Sequence, residues 1–180
     1  MGKIAQLLLL SLIFTAPAYA ATGGSGFMVG LSVISLNESY DGTTVGNSES
    51  SRTVADVKMG MVMTSGLYVG GLYDTRNDDY SGSKQERTAF GATVGYHSGG
   101  WFLDGSVFLD STLKLSNSTK LEKGTGFGID LGRNFDITTN TYAGLQFSYK
   151  SISYTQVNGA EVSNKLKSET CPMLNVGVMF

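Results

Sequence analysis

Several things are scarce in this chain of 180 residues: one cysteine, one histidine, one tryptophan and two prolines. A single cysteine excludes an internal disulfide framework and a cysteine-based zinc site. A single histidine excludes the usual multi-histidine metal centres, so no metal and no cofactor is expected. Charged residues are only 16%, below the roughly 25% of an average soluble domain. The formal net charge of −2 leaves no basic footprint, which excludes nucleic acid as a partner. Beyond the first twenty residues no apolar run reaches the ~20 residues of a membrane-spanning helix. Abundant instead are glycine, at 24, and aromatic residues, at 11%.

Met1–Ala20 reads MGKIAQLLLLSLIFTAPAYA. Lys3 supplies the positive start, Leu7 to Phe14 the short apolar core, and Ala18-Tyr19-Ala20 a small-x-small cleavage site. This pattern is a secretory signal peptide, so residues 1–20 are expected to be removed and 21–180 to form one domain.

From there the apolar period is 2, not 3.6. Leu174, Val176, Val178 and Phe180 share one face, as do Thr125, Phe127, Ile129 and Leu131. Ala143, Leu145, Phe147 and Tyr149 oppose Tyr142, Gly144, Gln146, Ser148 and Lys150. The alternation recurs over 26–36, 53–63, 67–76, 88–97, 101–113, 121–133, 141–152 and 166–180. Strands of this length suit a tilted membrane crossing, which takes ~9–11 residues. Short links at 64–66, 98–100 and 134–140 alternate with longer polar segments at 37–52, 77–87 and 153–165, with a shorter one near 116–119. Short turns at one end and loops at the other is the pattern of outer-membrane barrels. The expected fold is therefore all-β: an eight-stranded antiparallel up-and-down transmembrane β-barrel with both termini at the periplasmic turns.

Alternation alone does not say which face points outward, since soluble barrels alternate too. Three features favour apolar-out. The polar face is rich in glycine, which suits a crowded lumen. The apolar face has almost no charge mid-strand. Aromatic residues gather near strand ends: Phe27, Tyr96, Trp101, Tyr142 and Phe180 toward the short turns, and Tyr73, Tyr149 and Tyr154 toward the loops. That distribution predicts two interfacial girdles.

The Ala18-Tyr19-Ala20 signal end, the eight alternating strands and the terminal Val176-Gly177-Val178-Met179-Phe180 together resemble the small eight-stranded outer-membrane proteins of the OmpA transmembrane domain and OmpX group. The resemblance is one of architecture and spans 21–180. It implies an integral outer-membrane protein, in contact with outer-membrane lipid and lipopolysaccharide. It also implies recognition by periplasmic chaperones and the barrel assembly machinery, the latter through Val176, Val178 and Phe180. A monomer is expected.

Lumen parity assigns Asp56, Lys58, Asp74, Arg76, Asp110, Lys150 and Glu169 to a layer near the loops, and Asp104, Asp130 and His97 to a layer near the short turns. Neighbouring strands suggest pairing of Asp56 and Lys58 with Arg76 and Asp74. Such charges either seal the lumen as ion pairs or line and gate a narrow channel. Asp104 and Asp130 also have the form of a paired-carboxylate acid/base site, but no nucleophile accompanies them and no catalytic residue is assigned. Adjacent His97-Ser98 departs from the His-x-Ser of outer-membrane lipid A deacylases and lies at the periplasmic end. Cys171 is expected to face the lumen or its rim, and Pro172 the outside. The function expected is structural or surface-interactive (adhesin-like), carried by loops 37–52, 77–87 and 153–165. A passive channel and an outer-membrane lipid-modifying enzyme are the alternatives.

Overall fold

The computed structural model describes residues 25–40, 48–80, 83–115 and 118–180. The signal segment lies outside the described residues, as do 41–47 within the first long polar segment. Eight strands follow one another: β1 Gly26–Tyr40, β2 Ser48–Val62, β3 Leu67–Tyr80, β4 Ser83–Ser98, β5 Trp101–Leu115, β6 Lys120–Asp136, β7 Thr141–Val157 and β8 Ala160–Met179. Each pairs antiparallel with its sequence neighbours, and β8 closes on β1. The result is the closed eight-stranded antiparallel barrel that the alternation predicts. Closure pairs the backbone around the whole ring without side-chain help, so the side chains are free to sort by face.

They sort in the sense opposite to a soluble protein. Met59, Met61, Val69, Tyr73, Phe90, Val94, Leu103, Val107, Ile129, Leu131, Leu145, Phe147, Leu174 and Val176 all face outward and are each about half exposed or more. Asp56, Asp74, Asp104, Asp130, Lys58, Lys150 and Arg87 face inward and are buried. The apolar belt covers about four outward positions per strand, roughly 23 Å of chain at ~3.3 Å per residue. It stops at a collar of hydroxyls toward the loops: Ser35, Thr53, Thr75, Thr88, Thr112, Thr125 and Thr170.

The strands run well past that collar, and within the polar segments, 77–80, 83–87, 153–157 and 160–165 are strand rather than loop. Tyr80 faces Ser83 across the β3–β4 end, and Val157 faces Ala160 across the β7–β8 end. The β7–β8 connection is Asn158-Gly159, both with positive φ (50° and 79°). Two successive left-handed residues make the tight turn whose twist matches antiparallel strands. Alternating polar residues there need no apolar face, so hydropathy alone does not mark them as strand.

Two corrections of facing follow, the first from irregular register. On β5 the ladder to β4 slips: Phe90 faces Asp110 while Gly91 faces Phe108, leaving Leu109 extra. This bulge inverts the parity. Leu109 and Asp110 both lie on the outside, and Ser111 takes the inward place. Asp110 is therefore not a lumen residue. Tyr142 is not part of an outer girdle either: it is 2% exposed and packs inside with Met28, Val62, Tyr68 and Met179. It has the parity of Gln146 and Lys150, and parity decides. Tyr154, on the same parity, is fully buried in the lumen.

The closing seam is the shortest ladder. It runs from Met28↔Met179 to Val33↔Leu174. Pairing of β8 with β7 continues through Phe147↔Pro172 and beyond. A proline lacks an N–H, so it fits where one side of the strand is unpaired.

Tyr142 occupies room that two facing glycines leave. Gly30 and Gly177 are opposite each other on β1 and β8. A Cβ on Gly30 would stand 2.8 Å from the Tyr142 hydroxyl, and one on Gly177 would collide with the same phenol and stand 2.6 Å from the Val29 carbonyl. Outward-facing Gly71 and Gly105 have no such neighbour nearer than 3.8 Å. Gly177→Val is expected to lower the unfolding free energy by about 1–3 kcal/mol through overpacking, while Gly71→Ala and Gly105→Ala leave it nearly unchanged. Urea unfolding in lipid vesicles, followed by loss of the fast-migrating band on unboiled gels, measures the difference.

Candidate functional site: the charged lumen

An eight-strand barrel is just wide enough for its inward side chains to fill it. Here they fill it with charge in two groups. The first is a continuous chain. Arg52 Nε lies 3.1 Å from Asp78 Oδ1, and Asp78 Oδ2 lies 2.5 Å from Arg76 Nη2. Arg76 and Arg87 both donate to the Glu169 carboxylate. Arg87 Nε donates to Asp74 Oδ1 at 2.9 Å. Lys150 Nζ ends the chain, 2.5 Å from Asp74 Oδ2 and 2.5 Å from Asp56 Oδ1. Four cations (Arg52, Arg76, Arg87, Lys150) thus alternate with four anions (Asp78, Glu169, Asp74, Asp56).

The second group lies nearer the short turns. Lys58 Nζ is 2.6 Å from Asp104 Oδ2 and 2.8 Å from Asp130 Oδ2. His97 Nε2 is 2.9 Å from Asp104 Oδ1. Asp104 and Asp130 face each other on β5 and β6, and the lysine stands between them. A lysine bridging both carboxylates holds them as an ion triad, not as an acid/base pair sharing one proton. The Lys58 ammonium also lies 5.7 Å from the Phe102 ring centroid, a favourable cation–π distance.

The topology gives these contacts their meaning. In a ring of eight, β2 lies opposite β6, and β3 opposite β7. Lys58 on β2 reaches Asp130 on β6, and Lys150 on β7 reaches Asp74 on β3. Both are struts between opposite walls. The pairing of neighbours that sequence order suggests is not what forms: Asp56 and Asp74 face each other across the β2–β3 ladder, and their cation comes from the far side. Two carboxylates in register repel until Lys150 bonds both.

Arg87, Asp78 and Arg52 complete the chain although all three fall within segments read as loops. Arg87 and Asp78 are 3% and 2% exposed. The signal that finds them is parity: Arg87 continues the inward positions Ala89 and Gly91, and Asp78 continues Asp74 and Arg76. Glu169 and Cys171 do face inward, and Pro172 outward. Of the aromatic residues, Phe27, Tyr96, Trp101 and Tyr73 are exposed on the outside. Tyr149 lies there too, its ring 6.0 Å from that of Phe127. Val176 faces outward, and Phe180 exchanges backbone hydrogen bonds with Phe27 at 2.8 and 3.0 Å.

Neutral side chains also pair inside the lumen. Ser32 Oγ donates to Gln146 Oε1 at 2.9 Å, Asn175 Nδ2 to Asn134 Oδ1 at 2.8 Å, and Thr93 and Ser106 hydroxyls meet at 2.8 Å. Leu72, Phe108, Leu113, Leu121, Ile152 and Tyr154 form an apolar plug on one side. A cavity of about 10 Å³ lies beside Lys58, His97, Asp104 and Tyr142, the volume of about one water. No cluster of three metal-ligating side chains occurs among the described residues. Outside the belt, at the loop end, Lys120 Nζ (2.6 Å) and the Gly159 N–H (3.0 Å) bond the Glu122 carboxylate. The Lys120 hydrogen bond first, and then its charge and the Gly159 N–H, hold that carboxyl below its ordinary range.

Arg87→Ala leaves Asp74 and Glu169 short of a partner in a buried setting. A loss of about 3–5 kcal/mol in unfolding free energy is expected, the usual result of breaking a buried pair from one side. Lys84→Ala, whose side chain is 72% exposed and 3.9 Å from Asp79, should cost under about 1 kcal/mol. Urea midpoints of the two variants in the same lipid decide between a sealed and a solvated lumen. Equal, small losses would show that water already screens the Arg87 pairs.

No protein-family model matches the chain, and no curated protein matches it. Among solved structures it is similar to the outer membrane protein OprG from Pseudomonas aeruginosa, at 15% identity over 89% of this chain and 99% of that one, with a TM-score of 0.44. It is also similar to the outer membrane protein AlkL, determined in DMPC lipid bilayers, at 10% identity over 92% and 93% of the two chains, with a TM-score of 0.42.

Proposed function

We propose that this chain is an integral outer-membrane barrel whose lumen is sealed, and that it acts through the strand ends it holds beyond the bilayer. The observation that carries the membrane assignment is the inversion of faces: buried carboxylates and ammonium groups inside, half-exposed large apolar side chains outside. Water would penalise that exterior, and hydrocarbon requires it. The observation that carries the sealed lumen is the pair of struts. Lys58–Asp130 and Lys150–Asp74 tie opposite walls together, so solute passage would have to break buried ion pairs. Outer-membrane lipid and lipopolysaccharide are then its immediate surroundings, and its work is structural support or contact with an external partner.

The contact surface differs from flexible loops. Ala160–Glu169 of β8 alone is roughly 33 Å of strand at ~3.3 Å per residue, all of it beyond the collar. A rim of paired strands presents an already ordered backbone, at little entropic cost to a partner that docks.

The test is conductance in planar bilayers after refolding, beside a Lys58→Ala/Lys150→Ala variant. The parent is expected to be silent, and the variant to show openings because both struts are cut. Steady ion-selective steps in the parent would overturn the sealed lumen in favour of a channel. Removal of the protein from vesicles by a carbonate wash would overturn the membrane assignment itself.

A further inference from the structure

Arg133 is the only lysine or arginine facing outward at the short-turn end among the described residues. The outward lysines Lys84, Lys114 and Lys123 all sit at the opposite end. Arg133 lies across from Trp101 on β5 and Leu145 on β7. Its outward neighbours along β6 are Leu131 and Phe135, each about half exposed. The guanidinium carbon stands 5.2 Å from the Trp101 ring centroid and 5.1 Å from that of Phe135. No described carboxylate lies within ion-pair distance of it, and Asp136 falls on the other parity.

This surround is unusual for a charge that cannot be titrated away. Two rings cover part of the guanidinium and displace water from it, which strengthens its attraction to an anion. The side chains around it, Trp101, Phe135, Leu131 and Leu145, offer no anionic acceptor. The N–H fork is left facing the lipid side at the margin of the apolar belt. At that depth the anions are lipid phosphates, and a guanidinium fork matches two phosphate oxygens.

We propose that Arg133, held by Trp101 and Phe135, is a binding site for the phosphodiester of a glycerophospholipid in the periplasmic leaflet. The acyl chains lie along Leu131, Leu103 and Leu145. The site rests on the membrane orientation proposed above, with the short turns on the periplasmic side. It fixes the depth of the barrel at one end, where the hydroxyl collar fixes it at the other.

Native mass spectrometry of the detergent-purified barrel tests this, using phosphatidylglycerol and an uncharged diacylglycerol glucoside with the same chains as probes. The parent is expected to retain one phosphatidylglycerol about tenfold better than the glycolipid. Arg133→Gln should abolish the preference, and Arg133→Lys should keep a reduced one, since the charge stays and the fork is lost. Trp101→Leu should weaken it without removing it. An Arg133→Gln barrel that prefers phosphatidylglycerol as the parent does, or a parent that retains both probes equally, overturns the site. The gel shift of each variant and its resistance to carbonate extraction are read in parallel. A parent that fails both overturns the membrane reading along with the site. A parent that passes, beside an indifferent Arg133→Gln, overturns the site alone.

Discussion

Charge pointed into an eight-strand barrel has nowhere to go. The interior has no room for bulk water, so each inward carboxylate or ammonium must be met by another side chain or be very costly to bury. That constraint orders much of this structure. Asp56 and Asp74 stand in register on β2 and β3 and would repel. Lys150, from β7 on the far wall, bridges both, and Arg87 adds a second cation at Asp74. Asp104 and Asp130 stand in register on β5 and β6, and Lys58, from β2 on their far wall, does the same. The two devices are alike: a carboxylate pair on adjacent strands, answered by one lysine from across the ring. A long, flexible cation suits the task because it can span the lumen, and the Lys58 ammonium lies over the Phe102 ring at its end.

Matching charge across the ring also constrains the wall. A slip of one residue in any ladder would turn a strand's inward set outward. It would place carboxylates in hydrocarbon and strand their partners inside. The bulge at Leu109 shows the same rule at work. Beyond it Asp110 lies outside, opposite Phe90 of the belt and one outward position short of the collar at Thr112. Inward Ser111 then meets the Tyr154 hydroxyl at 3.1 Å, so the shifted register still ends in a satisfied interior.

Most of the barrel is legible from alternation, because an apolar outer face and a packed lumen impose period 2 on nearly every strand. Strand number, order of elements and the inward facing of Asp56, Lys58, Asp74, Lys150, Asp104 and Asp130 follow from it. Three kinds of feature do not. Strand beyond the apolar belt, as in 77–80, 83–87, 153–157 and 160–165, is polar and reads as loop, although Asn158-Gly159 is a strong hairpin signal. That reading conceals Arg87 and Asp78. A bulge changes parity without changing composition, which conceals the true place of Asp110. Pairing partners depend on closure, which brings β2 to β6 and β3 to β7, and nothing in adjacent residues announces it. Tyr142 is a different case: parity places it inside, and the habit of assigning aromatic residues to interfaces outweighs parity only on paper.

The wall is not equally secured all round. Seven of its ladders extend over most of their strands, whereas β1 and β8 share a short one that ends just below Pro172. Above that point the two strands are joined from within: Ile34 of β1 packs against Val54, Cys171 and Met173. The ion chain passes close by through Arg76 and Glu169, but neither strut ends on β1, and Ser32 binds only neutral partners in Gln146 and Asn175. Closure at the seam therefore rests on a short run of backbone bonds, on apolar packing and on the neutral Ser32–Asn175 contact. The Phe27–Phe180 backbone bonds extend that run at the short-turn end. The charged interior thus braces walls that stand opposite each other across the lumen, while the seam itself is held by backbone pairing and neutral side chains.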